Sequence, residues 1–310
     1  MFRRIDPRTR AALWVSLGAL AIHLVPLFLP REIPSVELEL ARMVPEARHR
    51  VRLLAPLREN PQSRGEHLRD AAELVLAAST REARAFLLEA RRRDPSAVEN
   101  DLLEARICWA DGDESGAQHA LAVARRDAPS DPRPELLEAD LREARGDSPG
   151  SLTALERALK KSPGDVPLRL RYARALGAAG RESAAQDALE PLASALPRHR
   201  WLAEQGLLRL GSGQNAEARS LLEDAVHADE GDAASHYYLA VALFRLEEWT
   251  RAEAELRRAD HLDPSDFRAL ALLCVLQREE GRVDDAGVSR VMLERRFAAR
   301  HAEFDQACPP

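Results

Sequence analysis

Prolines and glycines keep the same time along this chain. Pro95, Pro129, Pro163 and Pro197 are 34 residues apart, and Pro264 follows 67 later. Gly112, Gly146, Gly180, Gly213 and Gly281 are spaced 34, 34, 33 and 68. Together the two series place a one-residue deletion between Pro197 and Gly213. A period near 34 residues fits one pair of stacked helices per repeat. Each pair buries its apolar side against its neighbours, so most of the chain is expected to form a solenoid. That architecture points toward binding other proteins rather than toward catalysis.

The register follows from the punctuation. Frames fall at 64–97, 98–131, 132–165, 166–198, 199–232, 233–266 and 267–300. Their eighth residues are Ala71, Ala105, Ala139, Ala173, Gly206, Ala240 and Cys274. Their twentieth residues are Ala83, Ala117, Ser151, Ala185, Ala218, Ala252 and Ala286. Helices cross closely only where the contacting side chains are small. The twenty-fourth residue is leucine in six frames, Leu87 to Leu256, and Arg290 in the last. The glycines stand where the first helix of a pair must end, because glycine accepts the left-handed conformation of a C-cap. The prolines follow the second helix, which they cannot continue.

These columns resemble the tetratricopeptide repeat (TPR) family, with small residues at positions 8, 20 and 27 and proline at 32. The best copy is 233–266, with Leu239, Ala240, Trp249, Ala252, Leu256, Ala259 and Pro264. Position 4 never holds the family's tryptophan, and Glu230 replaces proline in the fifth frame. The resemblance implies an all-α, right-handed superhelical solenoid of about seven helix pairs over 64–300. It also implies a groove lined by positions 2, 5, 9, 12 and 13 of the first helices. The candidate partner-binding residues carried over in this way are Leu102, Arg106, Trp109, Asp140, Glu143, Arg174, Tyr237, Phe244 and Arg245. Of the other positions, Leu170, Leu207 and Val241 are expected to pack between repeats, and Trp249 to sit in the core. Aromatic and arginine side chains dominate binding hot spots. The groove lacks the lysines and asparagines with which some TPR domains clamp a chaperone C-terminus.

Ahead of the repeats, residues 11–30 contain no Asp, Glu, Lys or Arg. Twenty helical residues span about 30 Å, the thickness of a hydrocarbon core. Arg3, Arg4, Arg8 and Arg10 precede the run, which places the N-terminus in the cytoplasm. The sequence is thus read as a basic 1–10 segment, one N-terminal transmembrane helix at 11–30, a spacer at 31–63, the solenoid, and a tail at 301–310. The expected location is a bacterial inner membrane, with the repeats in the periplasm. The alternative is a cleaved signal peptide and a secreted periplasmic adaptor. The long apolar run and the lack of an Ala-x-Ala-like site favour the anchor. Val36, Leu38 and Leu40 alternate with acidic residues, so a short strand is one reading there; 46–55 reads as a short helix. The run 284–305 reads as a long terminal helix that packs Met292, Phe297 and Phe304 inward.

Little in the sequence suggests chemistry. Net charge is −6, so the abundant arginine does not signal nucleic-acid binding. Cys108, Cys274 and Cys308 are scattered and odd in number, giving no disulfide framework. No histidine pairs with another histidine or cysteine at metal-ligand spacing. Asp111, Asp113 and Glu114 around Gly112 read as a helix–helix turn that caps the next helix. Gly211-Ser212-Gly213 lacks the flanking strand and Lys-Ser of a phosphate loop. No catalytic residue, cofactor or metal is assigned. The sequence indicates a membrane-anchored scaffold or assembly factor and not an enzyme, with a regulatory subunit of an envelope enzyme complex as a further alternative.

Overall fold

The structure is a computed structural model that describes residues 34–44, 46–300, 304–305 and 308–309. The basic N-terminus and the apolar run 11–30 lie outside the described residues. Among those residues no helix is long and apolar enough to cross a membrane.

Sixteen α-helices and no strand occur among the described residues. They start with α1 (Pro34–Met43) and α2 (Ala47–Leu54), then a 3-10 turn at Ala55–Arg58. The repeats supply α3 (Gly65–Leu76), α4 (Thr80–Arg93), α5 (Val98–Ala110), α6 (Glu114–Asp127), α7 (Arg133–Ala144) and α8 (Ser148–Lys161). They continue with α9 (Val166–Ala178), α10 (Glu182–Leu189), α11 (Arg198–Gly211) and α12 (Asn215–Ala228). The last are α13 (Ala233–Arg245), α14 (Trp249–Leu262), α15 (Phe267–Glu279) and α16 (Val283–Arg296). The fold is all-helical, of the TPR-like solenoid type. It comprises two compact units, one ending at Leu141 and one beginning at Arg142.

The small-residue columns are the helix contacts. Ala71, Ala105, Ala139, Ala173 and Ala240 are fully buried, as are Ala83, Ala117, Ala185, Ala218 and Ala252. Gly206 shows why one frame departs from alanine. A Cβ there would meet Leu222 Cγ at 2.6 Å, so the leucine of α12 occupies the space a methyl would need. The turns close as the punctuation requires. Gly112, Gly146, Gly180, Gly213 and Gly281 all have φ between +72° and +79°. The residue after each returns its N–H to a carbonyl five residues back, as Asp113 does to Cys108 at 2.8 Å. The sixth frame has no glycine, and Glu247 takes the same turn at φ +60°. The acidic turn residues cap the following helices, as expected at 111–114. Asp113 accepts from Gly116 N–H at 2.8 Å, and Asp147, Asp165 and Asp232 do the same for α8, α9 and α13.

The first unit opens with a cap rather than a spacer. Leu38, Ala41, Leu54 and Leu57 share one core with Leu68, Ala71, Phe86 and Leu87. Residues 36–40 are therefore helical, since only one side of α1 meets this core. Arg93 fastens the connection, donating to the carbonyls of Asn60 at 2.7 Å, Arg58 at 3.0 Å and Ser63. Arg125 lies between two buried carboxylates of α7, donating to Glu135 at 3.0 Å and to Glu138.

The second unit ends differently. Helix α16 stops at Arg296, well short of 305, and is no longer than the earlier second helices. Phe304 comes back from the tail fully buried, and Phe297 packs half-buried beside Phe267, with ring centroids 6.1 Å apart. Met292 is 40% exposed and does not point inward. Arg290, which breaks the leucine column, stacks over Phe304 at 4.9 Å and pairs with Asp305 at 2.5 Å. Two of the scattered cysteines are joined. Cys274 and Cys308, 34 positions apart in sequence, form a disulfide with Cα atoms 6.0 Å apart. Cys308 thus stands one repeat beyond the small position of α15, a spacing the cysteine count alone did not expose.

Candidate interaction face

The first helices of the second unit bring charged and aromatic side chains onto one face. From α9, Arg174 forms a two-point ion pair with Glu204 of α11, through Nε at 2.8 Å and through a second short contact. Glu204 is 3% exposed, so its charge is held by this guanidinium. That partner raises the Arg174 pKa and keeps it cationic. Arg171, one turn earlier, pairs with Glu143 at 2.8 Å. Arg200, in the first turn of α11, is exposed and makes no ion pair among the described residues.

These residues border a cleft of about 590 Å³ lined by Glu143, Leu152, Leu170, Arg171, Arg174 and Arg200. A smaller hollow of about 240 Å³ shares Arg174 and continues to Leu207, Gly211 and Tyr238. Two glycines make its floor. A Cβ on Gly177 would lie 3.0 Å from Leu208 Cδ2, and one on Gly211 would lie 3.7 Å from the Gly177 carbonyl carbon. Side chains here would fill the hollow. Farther along, Tyr237 meets Tyr238 edge-on at 5.4 Å, and the Arg268 guanidinium lies 4.8 Å over the Tyr237 ring. Burial pushes the Tyr237 phenol upward, so it stays a neutral donor.

Of the candidate groove residues, Glu143 and Arg174 share the cleft and Tyr237 lies with Tyr238 on α13. Two others serve the fold instead. Phe244 packs edge-on against Trp249 at 5.1 Å, and Arg245 donates to the Leu210 carbonyl at 2.6 Å, closing the C-terminus of α11. Leu170 is 3% exposed and packs as expected, with Leu207 and Val241 half-buried. Trp249 is half-buried against the core. In the first unit Arg106 is exposed and pairs with Glu73 at 2.6 Å, Leu102 and Trp109 are half-buried, and Asp140 is exposed.

Sequence reasoning missed Arg171, Glu204 and Tyr238. All three occupy position six of their frames, one residue beyond the groove column at position five. A charged or aromatic residue at that position in three consecutive frames was the available signal. Among the described residues, no group of three or more His, Cys, Asp and Glu side chains could hold a metal.

Models of the tetratricopeptide repeat match residues 143–204 and 203–267. A tetratricopeptide repeat protein from Parabacteroides merdae superposes with a TM-score of 0.58 at 14% identity, over 79% of this chain and 97% of that one. Yeast Tom70 superposes with a TM-score of 0.56 at 13% identity, over 83% of this chain and 57% of its own. At these identities the likeness is one of fold. No curated protein matches the sequence.

Proposed function

The chain belongs to the tetratricopeptide repeat family, and from that premise we propose that it is a non-enzymatic scaffold, tethered to a membrane, that holds an extended acidic segment of a partner protein. The observation that carries the binding reading is a pair of adjacent hollows in the second unit that share Arg174, one reaching Glu143 and the other Tyr238. Its two inner arginines are already matched by Glu143 and Glu204, which leaves Arg200 to meet an incoming carboxylate. Leu207, Tyr238 and the glycine floor accept an apolar side chain next to it. Acidic and apolar residues a short distance apart on an extended strand would engage both hollows.

The tether reading comes from the uncharged run 11–30 and its basic flank. The Cys274–Cys308 disulfide supports placing the repeats in an oxidising compartment, on the far side of the membrane from the cytoplasm. In a Gram-negative bacterium that compartment is the periplasm. The mass of the mature chain separates an anchor from a cleaved signal, because cleavage removes about 3 kDa.

A photo-crosslinking residue at Leu207 tests the binding face, with one at exposed Arg257 on α14 as the reference. Adducts to a partner from Leu207 and none from Arg257 are expected. Adducts from Arg257 alone would move the function to the second-helix side and overturn the assignment. Reporter fusions at Pro310 test the side of the membrane. Activity only from a reporter that works in the cytoplasm would contradict the placement.

A further inference from the structure

Helix α1 has two apolar faces, and the fold uses one. At about 100° of rotation per residue, Pro34, Leu38 and Ala41 share the side that packs on the first repeat. Val36, Leu40 and Met43 fall about 140–200° away from Leu38, on the opposite side. They are 40%, 49% and 77% exposed. Single exposed apolar residues are ordinary, but three in an i, i+4, i+7 stripe on a ten-residue helix form a surface. The next helix adds charge beside it, since α2 turns Arg48, His49 and Arg52 to solvent. The neighbouring carboxylates are mostly engaged. Glu39 pairs with Arg42, and Glu46 lies 3.1 Å from His49. An apolar stripe bordered by arginines is the pattern of a helix that lies in a membrane interface.

Chain length supplies the placement. Only three residues, four Cα–Cα steps, separate Pro30, the end of the uncharged run, from Pro34. That stretch reaches at most about 14 Å. A run that ends at the bilayer surface therefore delivers α1 to headgroup depth.

We infer that α1 and α2 lie flat on the bilayer, with Val36, Leu40 and Met43 in the boundary between headgroups and acyl chains and Arg48 and Arg52 against anionic headgroups. The inference rests on the membrane tether proposed above. It adds an orientation, because the side of α1 that grips the first repeat then faces away from the lipid.

The test uses the full chain in nanodiscs of mixed phosphatidylcholine and phosphatidylglycerol. Cys108 is replaced by alanine, the disulfide is kept, and a bimane probe is attached through Leu40→Cys or Met43→Cys. Lipids brominated near the top of the acyl chain are expected to quench about half of the emission from both probes, since an interfacial helix sits ~5–10 Å into that boundary. In a V36D/L40D background the Met43 probe is expected to lose most of that quenching, with the circular dichroism unchanged. Assembly into discs without quenching at either position would overturn the inference and leave the tether standing. A blue-shifted but unquenched probe would mean that protein covers the stripe, a second copy or another chain, and would also overturn it. Failure of the chain to associate with the discs would remove the tether and the inference together.

Discussion

The two ends of the repeat array solve the same problem by different means. A solenoid leaves an apolar face open at each terminus, and that face must be covered. At the N-terminal end the cover is two helices of non-repeat sequence, which put Leu38, Ala41, Leu54 and Leu57 into the first pair. At the C-terminal end the cover is a short tail, held by one buried phenylalanine, the Arg290 contacts and a disulfide. One end is closed by packed area and the other by a covalent staple. The lesson is that a few residues suffice as a cap when a cross-link removes the entropy of docking them.

The comparison can be broken most sharply through that cross-link. Replacing Cys274 and Cys308 with alanine opens a 34-residue loop, for which chain entropy alone gives about 4 kcal/mol. Hydrogen exchange in α15 and α16 is expected to accelerate, while α1 to α4 keep their protection. Leu57→Ala probes the other end. It is expected to cost about 3 kcal/mol through a buried cavity, equally with and without reductant. Urea titration in both redox states measures the contrast, and reductant sensitivity at the N-terminal end would break it.

Acid sharpens the same contrast with opposite signs. Arg282 holds Glu253 down to about 2, so its stabilising charge is fully present above the ordinary value of 4.5 and is lost as pH falls toward 2. Burial instead raises Glu37 in α1, where one carboxylate oxygen has no partner. Its charged form is disfavoured in the fold, so protonation relieves that end as pH falls. Glu253→Gln is expected to flatten the acid loss in α14 to α16, and Glu37→Gln to raise stability at neutral pH. Thermal melts at pH 7 and pH 4 compare them. The smallest effect is at the one left-handed hairpin turn among the described residues that lacks glycine. Glu247→Gly is expected to add about 1 kcal/mol, because a side chain at φ +60° is strained. A loss of stability there would mean that Glu247 contributes contacts that outweigh its backbone.

Much of the fold was legible because its signals are local and repeat. A left-handed turn asks for glycine, a close helix crossing asks for alanine, and both returned every 34 residues. Even the exceptions carry reasons, as Leu222 does for Gly206. The ends were harder to read because no repeat governs them. Alternation at 36–40 suggested a strand, although the same residues divide just as well between two sides of a helix. The disulfide was hidden because its partner lies in a tail with no pattern of its own. In the candidate site, Arg174 and Glu143 came from the family's groove columns, but Arg245 and Phe244 from the same columns turned to packing. Column position fixes the helix face approximately. It does not decide whether a neighbouring carbonyl or ring claims the side chain first.

The central claim is that the α9–α11–α13 face binds an acidic, extended partner segment. The most direct test measures binding of the full chain to a panel of fluorescent peptides that share an apolar anchor and vary the adjacent residue among Asp, Lys and Ser. The account predicts that the Asp peptides bind best. It also predicts that Arg200→Glu weakens them at least about tenfold, the loss of one charge-assisted contact and its replacement by repulsion. Lys peptides that bind as well as Asp peptides, or an Arg200→Glu variant that binds the Asp peptides unchanged, would contradict it.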